Sequence, residues 1–389
     1  MDRRPITIVI FTGFYLLGLL FLLWGILLPD IITDLKVTKV DAGVLFTLFS
    51  LGSMAGAIVG GKYASRFDYL FLLAVLIVVN AVTLVLMSLV SNWYLMLVYA
   101  GIIGIVAATI ITIGHTLIAR LYEEKRFKMM GIMDFMFSFG ALSASFYVTG
   151  LYLLSENWRL PLQVMAGIML LLSAYTLACA VRSSKSVSGN TVTEKKTLSF
   201  TVVLCQPVFL FMAVLTFGYG AIEFGNANWF VTYAQTGLGY TGEQARNLLA
   251  CFTGGMVISR LVYTYFLRFV TVHHLIMVLA TGTLLGTLSI KLFTDLYLLG
   301  LGNFILGFSL GALFPLVLSS AMNIDSDNGP VLSGVSIVAN SMGVQIASFS
   351  TGVWANSASI NVAFWVIPMA GLVLWLSSIG FAYKMKAAR

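Results

Sequence analysis

The sequence predicts an all-α membrane protein in which twelve transmembrane helices form two pseudo-symmetric six-helix bundles. Three observations carry that expectation. Of 389 residues, 59% are hydrophobic and 10% charged, with a mean hydropathy of +0.98, whereas a soluble domain keeps its surface hydrated with about 25% charged residues. The apolar residues gather into twelve runs, each close to the ~20 residues that cross ~30 Å of hydrocarbon at ~1.5 Å per residue. One polar stretch, Arg182 to Ser199, falls between the sixth and seventh runs and divides them into equal sets.

The first six runs lie near residues 6 to 29, 42 to 62, 69 to 90, 94 to 120, 129 to 154 and 159 to 181. The second six lie near 207 to 235, 244 to 266, 272 to 293, 296 to 322, 331 to 354 and 361 to 383. A transmembrane β-barrel would instead show short alternating segments. The first run is longer than a signal-peptide core and lacks a small-residue cleavage site, so it is expected to remain as a membrane anchor. Cys179, Cys205 and Cys251 sit in apolar stretches without CxxC or Cys/His spacing, so neither a disulfide framework nor a metal site is expected.

Placing the N-terminus in the cytoplasm puts all but five of the 22 Lys and Arg residues on that side, the exceptions being Lys36, Lys39, Arg159, Arg246 and Lys291. Positive charge favours cytoplasmic loops, so both termini are expected inside, with the protein in the inner (cytoplasmic) membrane. The same bias accounts for the net charge of +7 without a nucleic-acid partner. The Ser-, Thr- and Lys-rich central stretch reads as a cytoplasmic linker. The expected organisation is an N-terminal bundle over 1–182, a linker over 183–200 and a C-terminal bundle over 201–389.

The loop after the second run, Gly60-Gly61-Lys62-Tyr63-Ala64-Ser65-Arg66-Phe67-Asp68, resembles the signature between helices 2 and 3 of the major facilitator superfamily. Gly61 and Arg66 match, and Ser65 stands where an aspartate is usual. The resemblance implies the major facilitator fold, with Gly61 allowing close helix approach and Arg66 serving a cytoplasmic latch; a basic turn unrelated to gating is the alternative. Gly61, Arg66 and Arg260 are the expected gating residues.

The second half is more specific. From Tyr219 to Arg260 the chain reads YGAIEFGNANWFVTYAQTGLGYTGEQARNLLACFTGGMVISR, which resembles the fucose/galactose/glucose proton symporter family. Tyr219, Gly220, Glu223, Asn228, Trp229 and Tyr233 match on helix 7, and Gly254, Gly255, Met256 and Arg260 on helix 8. Gly307, Phe314 and Pro315 continue the match on helix 10, and Ser333, Gly334, Gly343 and Gly352 on helix 11. The N-terminal half leans toward the TsgA-like branch, around Ile113-Gly114, Tyr122-Glu123 and Asp134-Phe135. Where the sugar symporters carry a glutamate and, four residues on, an asparagine, this chain has Ile111 and His115. Helix 5 has Asp134 where an amide is common, and its Gly140 to Ser145 stretch lacks the usual glycine-proline pair.

Charge at bilayer depth costs at least ~2.5–3.5 kcal/mol on the insertion scale, so residues that carry it tend to line cavities or to pair. Glu223, among Gly220, Gly225, Asn226 and Asn228, is the leading proton-coupling or substrate residue; a neutral structural carboxyl is the alternative. His115, whose imidazole titrates near neutrality unperturbed, and Asp134 are further coupling candidates, each with a structural alternative. Asp30, just after Pro29, reads as a solvated helix end or a residue of the external mouth.

Trp24, Tyr219, Trp229, Tyr233, Asn226, Asn228, Asn303, Asn340 and Gln345 supply flat apolar faces and neutral hydrogen bonds, the mixture a sugar or polyol uses. With Glu223 they form the expected substrate set. Trp93, Trp158 and Trp354, near helix ends, read as interfacial anchors. The glycines of helices 2 and 11 (Gly52, Gly56, Gly60; Gly334, Gly343, Gly352) read as surfaces on which the halves slide.

No nucleophile elbow, HExxH, P-loop or dinucleotide fingerprint occurs, so a carrier driven by an ion gradient is expected rather than an enzyme or ATPase. The expected function is secondary active transport by alternating access, as proton-coupled symport of a small polar solute such as a monosaccharide. A proton-driven exporter of an amphipathic or drug-like compound is the alternative. The expected partners are the solute, the proton and the lipid bilayer, with no cofactor, metal or nucleic acid, in a monomer.

Overall fold

The computed structural model describes residues 3–63, 67–122, 126–182, 205–325 and 329–387. Regular structure among them is helical throughout. The first half contains α1 (Arg3–Leu35), α2 (Lys39–Tyr63), α3 (Tyr69–Leu89), α4 (Trp93–Leu121), α5 (Arg126–Tyr152) and α6 (Arg159–Arg182). The second half contains α7 (Pro207–Thr232), which runs into a π-turn at Tyr233–Gly237, then α8 (Gly242–Phe266) and α9 (Val272–Leu292). One further span is α10 (Leu296–Gly311) followed by α11 (Leu313–Ile324). After α12 (Gly329–Ser357), the last span is α13 (Ile360–Ala363) followed by α14 (Val366–Ala387).

Eleven of these spans are long and apolar enough to cross a membrane. The remaining one, α8, has 25 residues, equally sufficient in length, but carries Asn247 and Arg260 within its apolar run. The chain is therefore a multi-pass membrane protein with the expected spans.

Two compact units emerge from the packing. One comprises 1–37 and 44–193, the other 38–43 and 194–389. In the first, α1 packs along α5, and α3 along α6 and α4. In the second, α7 packs along α12, α10 along α8, and α9 along α14 and α10.

The two units repeat one set of backbone seams. A Cβ on Gly18 would strike the Phe137 carbonyl, and one on Gly140 the Tyr15 carbonyl, so only hydrogen at both positions lets α1 and α5 meet. In the second unit the same reciprocal contact joins Gly220 to the Asn340 carbonyl and Gly343 to that of Phe217. Gly52 and Gly104 seat α2 on α4 against the carbonyls of Gly101 and Phe49; Gly255 and Gly307 seat α8 on α10 against those of Phe304 and Phe252. Corresponding residues of these seams are 202 or 203 positions apart. The cap of α4 recurs too: Asn92 accepts from the Tyr94 and Leu95 amides, and Asp295 from those of Tyr297 and Leu298, satisfying first-turn donors that a helix leaves unpaired.

These seams revise one expectation. Gly52, Gly56 and Gly60 face α4 of their own unit, and Gly343 faces α7 of its own, so they lock helices within a bundle rather than provide sliding faces.

Asp30 is likewise not a helix end, because α1 runs through Pro29 to Leu35. Its last turns are held laterally. Tyr152 Oη donates to Asp30 at 2.6 Å, Trp158 Nε1 donates to Asp34 at 3.0 Å, and Arg159 pairs with Asp34 at 2.7 Å. Trp158, expected to be interfacial, is only 4% exposed.

Candidate functional site

Within the second unit, four elements converge on one polar cluster. Tyr219 and Glu223 lie one turn apart on α7, Arg260 near the end of α8, and Gly311 and Phe314 on either side of the α10–α11 break. Arg260 Nη2 stands 3.9 Å from Glu223 Oε1, and its Nε donates to the Gly311 carbonyl at 3.3 Å. The Tyr219 phenol lies close to both Glu223 and Arg260, and its ring lies 5.3 Å from that of Phe314. The acid and base side chains are 16% and 20% exposed.

The chain builds this cluster by simple means. Pro315 has no N–H, so Gly311, four residues earlier, loses its helical donor, while the ladder resumes at once with Leu316 N donating to Ala312 O. The guanidinium fills the gap. Gly220 brings α7 against α12 beside Asn340, whose Oδ1 is buried with no hydrogen-bond partner among the described residues.

The other expected substrate residues on α7 lie in the core. Asn226 donates to Asn303 Oδ1 at 3.3 Å, and Asn303 donates to the Leu299 carbonyl at 3.1 Å. Asn228 donates to Ser348 Oγ and Trp229 Nε1 to the Ser348 carbonyl, both at 3.0 Å. Tyr233 donates to the Ile290 carbonyl at 3.4 Å and stacks on Phe364 at 4.0 Å. These bonds tie α7 to α10 and α12, and the π-turn that follows it to α9. Gln345 is half-buried on α12.

In the first unit His115 and Asp134, expected as separate groups, form a pair: His115 Nε2 is 3.6 Å from Asp134 Oδ1. Its Nδ1 is 2.9 Å from the Ile111 carbonyl, which can only accept, so Nδ1 carries a hydrogen and Nε2 is the position that gains or loses a proton toward Asp134. The Phe14 ring meets the imidazole edge-on at 5.3 Å. Trp24 is 2% exposed, with its indole N–H unpartnered among the described residues. Of the expected gating residues, Gly61 lies in the last turn of α2, Arg66 falls outside the described residues, and Arg260 belongs to the Glu223 cluster rather than to a cytoplasmic turn. Sequence reasoning missed the pairing of Glu223 with Arg260 and the part of Gly311; the signal was Pro315, whose free i−4 carbonyl invites a side-chain donor.

The sequence profile of the Major Facilitator Superfamily matches residues 6–327. The chain belongs to that superfamily. It is therefore a membrane carrier rather than an enzyme. A glucose/mannose transporter of Bacillus subtilis is 20% identical over 387 residues, covering 97% of this chain and 93% of the relative. A TsgA homologue of Buchnera aphidicola is 19% identical over 352 residues, covering 89% and 87%. Among solved major facilitator structures, a bacterial homologue of the human lysosomal transporter Spinster superposes with a TM-score of 0.76 at 12% identity, covering 100% of this chain and 97% of its own. A D-xylose–proton symporter gives 0.75 at 15%, covering 99% and 98%. The nucleoside transporter NupG gives 0.70 at 14%, covering 100% and 99%. At these identities the likeness is one of fold.

Proposed function

We propose that this carrier is a proton-coupled symporter of a small neutral polar solute of the monosaccharide class, working by alternating access in the inner membrane with both termini cytoplasmic. The observation that carries the proposal is the half-buried Tyr219–Glu223–Arg260 cluster. Carboxylate and guanidinium offset each other's charge, so a solute meeting them need bring none. Phenol, carboxylate and guanidinium together offer the donors and acceptors that hydroxyl groups use, and the Tyr219–Phe314 pair offers an apolar face. A carboxyl that leaves its partner on protonation supplies the coupling step. The full-length likeness to a glucose/mannose transporter supports the solute class, and the likeness to a D-xylose–proton symporter agrees with proton coupling.

In this reading His115 and Asp134 form a second proton-handling pair, while Trp24, Tyr219, Asn340 and Gln345 remain solute contacts. Asn226, Asn228, Trp229, Tyr233 and Asn303 hold α7 in place behind the site. The bundles are 1–182 and 201–389, the linker is 183–200, Gly61, Arg66 and Arg260 serve gating, and the carrier acts as a monomer.

Proteoliposomes with an imposed pH gradient and labelled hexoses or pentoses test the proposal. Uphill solute accumulation that moves with the proton is expected. Proton-driven expulsion of an amphipathic compound, with no sugar flux, would replace symport with export.

A further inference from the structure

Across α10, α8 and the turn after α8 runs a row of five aromatic rings that the transport site does not use. On α10, Phe304 stacks on Phe308 with ring centroids 6.3 Å apart. Phe308 meets Phe266 of α8 edge-on at 6.5 Å, Phe266 meets Tyr265 at 6.5 Å, and Tyr265 meets Phe269 of the turn at 5.1 Å. The row ends on a cation, for the Arg268 guanidinium lies 5.8 Å from the centre of the Tyr265 ring. Tyr265, Phe266 and Phe269 are 55%, 40% and 70% exposed, and Arg268 is exposed as well.

Three observations bear on what covers this row. The 21 residues of α9, at ~1.5 Å each, just cross ~30 Å of hydrocarbon, so the turn before it, with Arg268 and Phe269, lies at the membrane interface while Phe304 and Phe308 lie within a span. Arg268 pairs with no carboxylate among the described residues, and the chain holds no Asp or Glu from Gln244 to Thr294. Nor does the fold demand the rings. In the register that relates the two units, Gly101 and Ile105 stand at Phe304 and Phe308, Lys62 at Tyr265 and Arg66 at Phe269.

We infer that this row is the seat of one anionic phospholipid. An acyl chain lies along the rings, whose faces and edges give it apolar contact, and the headgroup phosphate meets Arg268, whose planar fork matches phosphate geometry. Aromatic and basic side chains together anchor at the interface in this way. A zwitterionic lipid brings the same phosphate with a cation that Arg268 repels, so the anionic headgroup is preferred.

Native mass spectrometry of the full-length carrier, with phosphatidylglycerol or phosphatidylcholine of matched chains added to the detergent, tests the inference. One phosphatidylglycerol is expected to be retained in preference, and Arg268→Gln should lower that preference about fivefold, the factor one basic residue contributes beside an anionic membrane. Arg182→Gln, an equal loss of charge at an exposed residue ending α6, should leave it unchanged. Phe269→Leu combined with Phe308→Leu should weaken retention of both lipids. Equal retention of the two lipids by the wild type, an Arg268→Gln effect no larger than that of Arg182→Gln, or unchanged retention in the doubly substituted form overturns the inference. Should the double variant fail to fold, the comparison of Arg268→Gln with Arg182→Gln decides.

Discussion

Arg260 donates through Nε to the Gly311 carbonyl, an acceptor that Pro315 leaves without its helical amide. The same guanidinium faces Glu223 at 3.9 Å. A backbone defect on one span thus fixes the angle at which a side chain from another approaches a half-buried acid.

Replacing Pro315 with alanine returns an N–H that competes for Gly311. A hydrogen bond to a charged group contributes about 1.5–3 kcal/mol, so a loss of roughly tenfold or more in kcat/KM of transport is expected, with a changed pH profile. Arg260→Lys, which keeps the charge but not the fork, should behave alike. Wild-type kinetics in both variants would show that the contact is incidental.

Glu223→Gln keeps the hydrogen-bonding shape and removes the ionisable proton. Proton-driven accumulation should vanish while solute counterflow persists. If both activities fall together, Glu223 binds solute or holds the fold, and the coupling role is lost.

His115 and Asp134 act as one unit if they share a proton. The pH–rate curves of His115→Ala, Asp134→Asn and the double variant should therefore coincide, each displaced from the wild type. Additive displacements, or a wild-type curve for His115→Ala, would remove the pair from the coupling scheme.

At the end of α1, Asp34 is held by both Arg159 and Trp158. The pair is partly exposed, with side chains 24% and 43% accessible, so the ion-pair contribution is about 1 kcal/mol or less. Asp34→Asn should lower the melting temperature in detergent slightly, and Asp34→Ala, which also strands the buried indole N–H, should lower it further. Equal melting points for the two would show that the indole bond contributes nothing.

Gly140→Val would drive a side chain into the Tyr15 carbonyl. The variant is expected to yield no monodisperse protein on fluorescence-detected size exclusion. A normal elution profile would refute the seam as a rigid contact.

Apolar runs that begin at a capping residue were legible to within a residue: the run near 69 to 90 is Tyr69–Leu89 behind Asp68, and that near 94 to 120 is Trp93–Leu121 behind Asn92. What escaped the linear pattern was set by lateral contacts. α1 persists past Pro29 because Tyr152, Trp158 and Arg159, more than 120 residues away, grip its final turns. Glu223 and Arg260 are 37 positions apart on different helices, and composition does not reveal which faces meet. The glycine stripes were visible, but not which neighbour they touch. Nor do Phe266 and Phe308 announce in sequence that their rings meet.

The recurring seams carry a last implication. Phe21 and Ala57 stand at the positions matching Glu223 and Arg260, and Leu318 and Ile337 at those matching His115 and Asp134. The repeated skeleton shares the joints where any atom larger than hydrogen is a collision, while ionisable groups stand in only one copy at each of these places. A carrier built of two like halves is thereby chemically one-sided: Thr112 stands at the position matching Pro315, so the first half lacks the proline that frees a carbonyl for such a guanidinium.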